Sequence, residues 1–360
     1  MSVESKRLRI LIPVLGFGRA GGHRVLSELA NAWIDIGHDV AFACPATSDI
    51  PYFPTKAEIY WLGHSGERVE WALNEGETGA ANLRSLFFGT KRLHNSFDII
   101  LTNHSLTPWP ILLSGVPRTK RFYYIQAYEP EYYALEKRPL LWLASRFSYA
   151  LPFTQIANAS IYKHAFVRPV SIIPFGINLN VFKPKVQTSR QAGAPLTIGC
   201  IGRSEPQKGT PYVLEAFERL YASDPRHRLR IAYGNVPEGW SHEAAEIIVP
   251  SNDVELAAFY RSLDVLVAAG TVQHGAPHYP ALEALASGAS LVTTGFEPAT
   301  AENAWLVPNR DPNGICEALR LVSEYPHDAL RKTSIGLQDV QPFAWTEVAE
   351  RAISVFQNGR

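Results

Sequence analysis

The chain has 360 residues, of which 46% are hydrophobic and 19% charged, so it is long and apolar enough for two domains with hydrophobic cores and is not a disordered chain. Its 34 Lys and Arg balance its 34 Asp and Glu, which excludes the strongly basic balance typical of a nucleic-acid-binding protein. No stretch approaches the ~18 uninterrupted apolar residues that a membrane-spanning helix needs. The three cysteines, Cys44, Cys200 and Cys316, favour neither a disulfide framework nor a zinc motif and indicate a reducing cytoplasm.

The first half opens with a strand, turn, helix and strand. Charged residues precede an apolar run at 8–15 that ends in glycine and arginine without a cleavage site, so we predict a strand and not a signal peptide. Residues 24–36 carry apolar side chains at helical spacing, and a strand at 40–44 follows. Further short apolar runs, separated by helical stretches, predict strands at 59–62, 99–102, 122–125 and 171–174.

The same alternation restarts after 175–194, a segment rich in proline, glycine and polar residues that we interpret as a linker. The second half is predicted to contain strand 196–201, helix 209–221, strand 229–233, helix 253–263, strand 265–268, helix 280–286 and strand 290–293. This pattern predicts an α/β protein with two doubly wound, Rossmann-like domains of parallel sheet. Ligands are then expected at the carboxyl ends of the strands, in the cleft between the domains.

The glycine-rich turn at 16–21 matches the dinucleotide fingerprint G-x-G-x-x-G, which makes an NAD(P)-dependent oxidoreductase one alternative. That fingerprint also needs an acidic residue where the second strand ends, to hold a ribose hydroxyl. Here the strand ends in Cys-Pro-Ala-Thr, and Asp39 stands at its beginning. We therefore favour Gly21 and Gly22 as positions where the backbone approaches a ligand at a helix N-terminus, with a purely structural turn as the other interpretation.

Two loops of the second half carry phosphate-binding chemistry. In GRSEPQKG, Gly202 precedes Arg203 and Lys208, which could place two cations on a diphosphate, although two solvated side chains are an equally simple interpretation. In HGAPHYPALEALASG, a proline suits the first turn of a helix whose N-terminus, beside His278 and Tyr279, would suit a phosphate. Glu283 falls early in that helix, where a capping role is its simpler interpretation.

The motifs GRSEPQKG, PHYPALEALASG and PFGINLNVFKP together resemble family 4 of the GT-B nucleotide-sugar glycosyltransferases. Within that family, FYYIQAYEPEYY and HGAPHYPALEA are similar to bacterial rhamnosyltransferases that build surface polysaccharides and S-layer glycans. The resemblance implies a GT-B fold with an acceptor-side domain at 1–178 and a nucleotide-sugar-binding domain at 179–342. It also implies that a C-terminal helix at 343–360 crosses back to the N-domain, and that a metal-independent, retaining sugar transfer needs no cofactor besides the donor.

The resemblance also implies roles for single residues. Arg203, Lys208 and His104 would be catalytic, the two cations by neutralising the leaving diphosphate, and Asn103 competes with His104 for the position near the donor sugar. Glu283 would hold the ribose hydroxyls. The remaining positions expected near the donor sugar, the phosphates or the acceptor are Gly21, Gly22, Glu129, His274, Gly275, His278 and Tyr279.

The first glutamate of the family's E-x7-E motif is replaced here by Gly275. His274 or the loop backbone could substitute for that carboxylate, and a deoxysugar is compatible with its loss. The resemblance favours dTDP-rhamnose as the donor, with UDP- and GDP-sugars as alternatives. A catalytically inactive nucleotide-sugar-binding protein is the alternative that the missing glutamate suggests.

Residues 137–153 combine basic and large apolar side chains, within a segment, 84–170, that holds 11 Lys and Arg against four Asp and Glu. Leu140, Leu143, Phe147 and Ala150 form one helical stripe, which predicts a core-facing helix. The alternative is a peripheral contact with the inner membrane leaflet, which would present the N-domain to a lipid-linked glycan. We expect a cytoplasmic protein with a glycan or lipid-linked glycan acceptor and no nucleic-acid partner.

Overall fold

A computed structural model describes residues 6–71, 79–165, 167–184, 190–271 and 277–359. The chain divides into two compact units: unit 1 consists of Met1–Gly176 and Trp345–Arg360, and unit 2 of Ile177–Ala344. Within the described ranges, no helix is long and apolar enough to cross a membrane. All three cysteines are buried free thiols.

Unit 1 is built on a seven-stranded parallel sheet. Its strands are β1 (Arg9–Pro13), β2 (Asp39–Pro45), β3 (Glu58–Leu62), β4 (Ile99–Thr102), β5 (Arg121–Ile125), β6 (Thr154–Ala157) and β7 (Ser171–Ile172). Their order in the sheet is β3-β2-β1-β4-β5-β6-β7. The helices of this first segment are α1 (Gly21–Asp35), α2 (Gly79–Leu93), α3 (Pro108–Leu113) and α4 (Pro139–Ser148).

Unit 2 has the same type of architecture, built on a six-stranded parallel sheet. Its strands are β8 (Thr197–Ile201), β9 (Arg228–Ala232), β10 (Ala245–Ile248), β11 (Val265–Ala268), β12 (Ser290–Thr293) and β13 (Trp305–Leu306), in the order β10-β9-β8-β11-β12-β13. Its helices are α5 (Thr210–Ser223), α6 (Asp253–Arg261), α7 (Tyr279–Ala286), α8 (Pro312–Glu324) and α9 (Pro326–Asp339). The prediction of two parallel-sheet, Rossmann-like domains is confirmed.

The last helix, α10 (Trp345–Asn358), returns to unit 1. The indole N–H of Trp33, on α1, donates a hydrogen bond to the carbonyl of Ala349 at 3.1 Å. The ring of Phe356 lies 5.5 Å from the ring of Trp33 and 4.9 Å from that of Phe122 on β5. This packing explains the apolar stripe of α10 and confirms that the C-terminal helix crosses back to the first domain.

The two sheets share one hydrogen-bonding arrangement at the amino ends of their strands. Just before β1, the backbone N–H of Leu8 donates to Nδ1 of His38 at 3.1 Å; just before β8, that of Leu196 donates to Nδ1 of His227 at 2.9 Å. In both units the next backbone N–H donates to a carboxylate: Arg9 to Asp98 at 3.0 Å, and Thr197 to Asp264 at 2.7 Å. Each sheet is therefore held at its amino edge by one histidine and one aspartate.

The prediction that α4 faces the core is wrong. The large side chains of the predicted stripe point to solvent: Leu140 is 78% exposed, Phe147 56% and Leu143 41%. The buried side of the helix carries Ser145 and Ser148 instead.

The reason lies in the tyrosines beneath α4. Tyr149, which follows the helix, stacks on Tyr123 of β5 with the ring centroids 5.9 Å apart and an interplanar angle of 6°. The hydroxyls of Tyr123 and Ser148 are 3.3 Å apart, and Ser148 donates to the carbonyl of Ser145 at 2.7 Å. Small serines fit against these rings where leucines would not, so the helix turns its leucines outward.

Candidate functional site

The strand order of each sheet reverses at one point, between β1 and β4 in unit 1 and between β8 and β11 in unit 2. In open α/β sheets, ligands bind outside the carboxyl ends of the strands at this switch point. The loops that follow these four strands carry most of the site residues that the sequence predicts.

Glycines shape the loop that follows β8. A Cβ on Gly202 would lie 3.0 Å from the backbone nitrogen of Asn235, so a side chain there would crowd the neighbouring loop. Gly209 has a φ of +78°, and a Cβ there would lie 1.9 Å from the carbonyl oxygen of Ala269, at the end of β11. Only glycine fits at position 209, because both its conformation and the close approach of the β11 segment exclude a side chain.

Arg203 is fixed by both its backbone and its side chain. Its N–H donates to Oγ1 of Thr210, and that hydroxyl donates back to the Arg203 carbonyl at 2.9 Å. Its guanidinium makes a two-pronged contact with Glu205, with Nε 3.1 Å from Oε2 and Nη2 2.5 Å from Oε1. These bonds lower the pKa of Glu205 to about 2. The sequence predicts Arg203 as a diphosphate ligand, but the structure gives it a carboxylate partner in its own loop.

Lys208 supplies a positive charge to this site, and His278 supplies a neutral ring close to it. Lys208 is half-buried, and burial together with the nearby Arg203 lowers its pKa. The ring of His278 stacks on Phe296 with the centroids 4.3 Å apart. Burial, and then the charges of Lys208 and Arg203, lower the pKa of His278 to about 3, so this imidazole is neutral. Within the described ranges, no carboxylate pairs with Lys208 and nothing hydrogen-bonds to the buried Nδ1 of His278.

Glu283 lies within α7 and does not cap it. His278 occupies the position before the helix and Tyr279 begins it, so Glu283 falls in the second turn. Glu283 is 3% exposed and accepts a hydrogen bond from the hydroxyl of Tyr260, on α6, at 2.9 Å. The capping interpretation is therefore wrong. Two other predicted positions, His274 and Gly275, lie outside the described residues.

In unit 1, Gly21 and Gly22 are the first two residues of α1. A Cβ on Gly21 would have no neighbour within 4 Å, and one on Gly22 would lie 3.4 Å from the amide nitrogen of Gln126, after β5. Neither has a positive φ. Gly21 therefore borders open space at the helix N-terminus, whereas Gly22 lies against Gln126, and the turn itself requires neither glycine.

The dinucleotide-binding alternative lacks its acidic residue. Strand β2 ends at Pro45, whereas Asp39 lies at its amino end and pairs with Arg7. The carboxylate is therefore at the edge of the sheet opposite the glycine turn, where it cannot hold a ribose bound at that turn.

The loop after β4 brings His104 against Glu129. Nδ1 of His104 accepts a hydrogen bond from the N–H of Leu106 at 3.1 Å, and its Nε2 lies 3.5 Å from Oε2 of Glu129. The same carboxylate oxygen, which is buried, accepts the N–H of Ser105 at 2.8 Å. The amide nitrogen of Asn103 is buried, with no hydrogen-bond partner among the described residues.

Sequence reasoning missed three residues that complete these clusters. Tyr260 donates a hydrogen bond to Glu283, and Tyr133 places its hydroxyl 3.4 Å from Nε2 of His104. His23 has its pKa lowered by burial and by the nearby His104. The position of His23 directly after the two glycines was the one available signal in the sequence.

Comparison with known proteins agrees with this architecture. Residues 195–324 match the family described as "Glycosyl transferases group 1". The D-inositol 3-phosphate glycosyltransferase of Corynebacterium glutamicum is 24% identical over 217 residues, which cover 52% of this chain and 51% of that protein. The Corynebacterium efficiens enzyme of the same name is 24% identical over 239 residues, covering 56% and 54%. The chain thus aligns with about half the length of these curated relatives.

Solved structures match over nearly the whole chain. Sucrose-phosphate synthase from Thermosynechococcus elongatus superposes with a TM-score of 0.70 at 18% identity, covering 98% of this chain and 99% of that one. Anabaena HepE in complex with UDP and glucose gives a TM-score of 0.67 at 12% identity, covering 98% and 100%. At these identities the likeness establishes the fold. Residues 195–324 therefore resemble the group 1 glycosyltransferases, in a chain whose two parallel-sheet units have the GT-B fold.

Proposed function

We propose that the chain transfers a sugar from a nucleotide diphosphate donor to a glycan acceptor. The observation that carries this proposal is the half-buried Lys208, which makes no salt bridge with a described carboxylate, beside Arg203 and the neutral His278 at the switch point of unit 2. A diphosphate is the ligand that two cations and a helix N-terminus at this place would suit. The group 1 match over residues 195–324 gives independent support.

The reaction breaks the bond between the sugar C1 and the diphosphate oxygen and forms a bond between C1 and an acceptor oxygen. Negative charge accumulates on the diphosphate as it leaves, and pre-placed cations stabilise that charge without rearranging. Retention at C1 and independence of a metal are parts of the proposal that the family resemblance supports. Anomeric proton couplings of the product and activity in EDTA test them directly.

Substitution of Lys208 tests the catalytic role. Lys208→Ala is expected to slow transfer by about 100-fold or more, as removal of one electrostatic stabiliser does, while thermal unfolding stays unchanged. Lys208→Arg keeps the charge and is expected to retain more activity, and Lys183→Ala, at an exposed position of the same unit, serves as the control. Wild-type turnover in Lys208→Ala would remove the assignment. Nucleotide-sugar binding with neither transfer nor donor hydrolysis would favour an inactive binding protein.

For the donor we propose dTDP-rhamnose, which the resemblance of FYYIQAYEPEYY and HGAPHYPALEA supports. The crystal structure of Anabaena HepE holds UDP and glucose, so UDP-glucose is the competing donor. Calorimetry with dTDP-, UDP- and GDP-sugars ranks them, and a preference for a GDP-sugar would refute the choice. NAD(P)H is included because its binding would instead favour an oxidoreductase.

We further propose that unit 1 binds the inner face of the membrane through α4. The outward-facing Leu140, Leu143 and Phe147 are bordered by the basic side chains of Lys137, Arg138 and Arg146, a combination that matches an anionic lipid surface. Each basic residue near such a surface contributes roughly 1 kcal/mol. A cytoplasmic enzyme docked in this way would meet a lipid-linked glycan acceptor.

Sedimentation with phosphatidylcholine vesicles that contain increasing phosphatidylglycerol tests the membrane contact. Bound protein should increase with the anionic lipid and decrease with salt. It should also decrease in Arg138→Glu/Arg146→Glu and in Leu140→Ala/Phe147→Ala, but not in the unit 2 control Lys183→Glu/Arg320→Glu. Absence of binding at low salt would mean that a soluble or protein-delivered acceptor reaches the site.

A further inference from the structure

Two histidines follow the strands at the switch point of unit 1, His23 after β1 and His104 after β4, and the structure constrains them differently. Because Nδ1 of His104 accepts the N–H of Leu106, the ring proton of the neutral tautomer resides on Nε2. Nε2 is directed at Oε2 of Glu129, 3.5 Å away, and at the hydroxyl of Tyr133, 3.4 Å away. Both nitrogens of His104 therefore already have protein partners.

Glu129 is itself fixed by the loops around it. Its Oε2 accepts the N–H of Ser105, and its own N–H donates to the hydroxyl of Tyr149 at 3.0 Å. Its side chain is 9% exposed, so Glu129 holds the β4–α3 loop from inside the unit. This arrangement positions His104 and leaves it little freedom to turn toward a ligand.

The ring of His23 is held less tightly than that of His104. His23 is the third residue of α1 and half-buried, its ring lies beside Phe17 with the centroids 6.5 Å apart, and no described residue hydrogen-bonds to its ring nitrogens. Burial and the nearby His104 lower its pKa, so at neutral pH it is the uncharged imidazole that can accept a hydrogen bond. A buried amide nitrogen without a described partner, that of Asn103, adjoins His104 in the same loop.

We infer that His23, and not His104, is the imidazole of unit 1 that contacts the substrate, by accepting a hydrogen bond from a sugar hydroxyl. His104 is then a positioning residue that Glu129 holds in place. An acceptor nitrogen on His23 matches a sugar hydroxyl, which can donate as well as accept a hydrogen bond. The sugar as ligand rests on the proposed function; the difference between the two imidazoles does not.

Chemical modification tests that difference without any turnover. Diethyl pyrocarbonate acylates free neutral imidazole nitrogens, and peptide mass spectrometry follows each histidine separately. We expect His23 to react clearly faster than His104, and His104 to accelerate in Glu129→Gln, which weakens its hold. Equal rates in the wild-type protein, or a faster His104, would overturn the inference.

Kinetics then test the contact with substrate. His23→Leu keeps the packing against Phe17 but removes both nitrogens, and we expect it to lower kcat/KM for transfer by about 5- to 150-fold, the effect of leaving a buried hydroxyl unpaired. His23→Gln retains an acceptor and should recover part of that loss, which a merely structural role would not produce. His327→Gln, at an exposed position of unit 2, is the control. Wild-type kcat/KM in His23→Leu would overturn the inference. If the wild-type chain transferred no sugar from any donor, the proposed function would be refuted, and the modification rates would then decide the difference between the two histidines.

Discussion

Glu205 competes with the proposed donor for Arg203, so removing its charge should strengthen nucleotide binding. The carboxylate holds the guanidinium through two contacts, and a diphosphate would have to displace it or share the arginine. Glu205→Gln keeps the size and one weak acceptor but removes the charge. Because the pKa of Glu205 is about 2, it stays ionised at neutral pH, and mild acidification cannot substitute for the mutation.

The magnitude follows from the exposure of the pair. The side chains of Arg203 and Glu205 are 47% and 39% exposed, so solvent screens the pair, and it contributes about 0.2–1 kcal/mol as surface ion pairs do. Breaking it should lower the dissociation constant for UDP by about 1.4- to 5-fold. In the variant, the nucleotide binds without first breaking the ion pair, so this free energy no longer opposes binding.

Calorimetric titration with UDP at low and high salt measures this change. Glu238→Gln removes one negative charge from an exposed position of the same unit and controls for the general effect of net charge. Unchanged or weaker binding in Glu205→Gln, with Glu238→Gln behaving as the wild-type protein, would show that Arg203 does not exchange its partner for the nucleotide.

Three further predictions concern stability. Gly209→Ala should lower the free energy of unfolding, measured by urea titration, by more than the strain of a left-handed alanine, about 1–2 kcal/mol, because its Cβ meets the carbonyl of Ala269. Gly239→Ala, at a φ of +77° with open space around it, measures the strain alone. Phe356→Ala should lower the free energy of unfolding by about 3–5 kcal/mol, because this side chain is fully buried against Trp33 and Phe122. The control Gln357→Ala should have no effect, and equal urea midpoints in the two variants would mean that α10 does not anchor unit 1. Burial lowers the pKa values of His38 and His227, so the unfolded chain binds more protons and stability should fall as the pH drops below about 6.5. His38→Asn/His227→Asn, which keeps an acceptor that does not titrate, should reduce this dependence in urea titrations between pH 5 and 8, and the remainder comes from histidines such as His278, whose pKa is also lowered.

Much of the fold is predictable from hydrophobic patterning, because parallel strands buried on both faces leave continuous apolar runs. The strands that the sequence does not reveal have weak patterns for physical reasons. β6 is a four-residue strand that begins with polar Thr154 and Gln155, β10 is a partly exposed edge strand, and β13 has two residues. For helix α4, the periodicity shows that Leu140, Leu143 and Phe147 share a face. It does not show whether that face meets the core or the solvent.

The candidate site is predictable only in part. Arg203, Lys208 and His278 meet as the loop order suggests, since the carboxyl ends of adjacent parallel strands share an edge. The pairing of Arg203 with Glu205 depends on side-chain conformations that a two-residue spacing does not determine. The electrostatic effect of His104 on His23 depends on how two loops far apart in the sequence pack, which no local pattern encodes.

Because of the histidine and aspartate at the amino edge of each sheet, stabilisation of the strands and ligand binding depend on different ends of the same strands. These anchors lie at one end of the strands, and the loops with the candidate ligand-binding residues lie at the other. A substitution in a ligand-facing loop thus leaves these anchoring hydrogen bonds in place, and it alters stability only through the contacts of the loop itself. Exchange of one sugar substrate for another during evolution should then proceed through the loops after β1, β4, β8 and β11, while the amino edges stay constant.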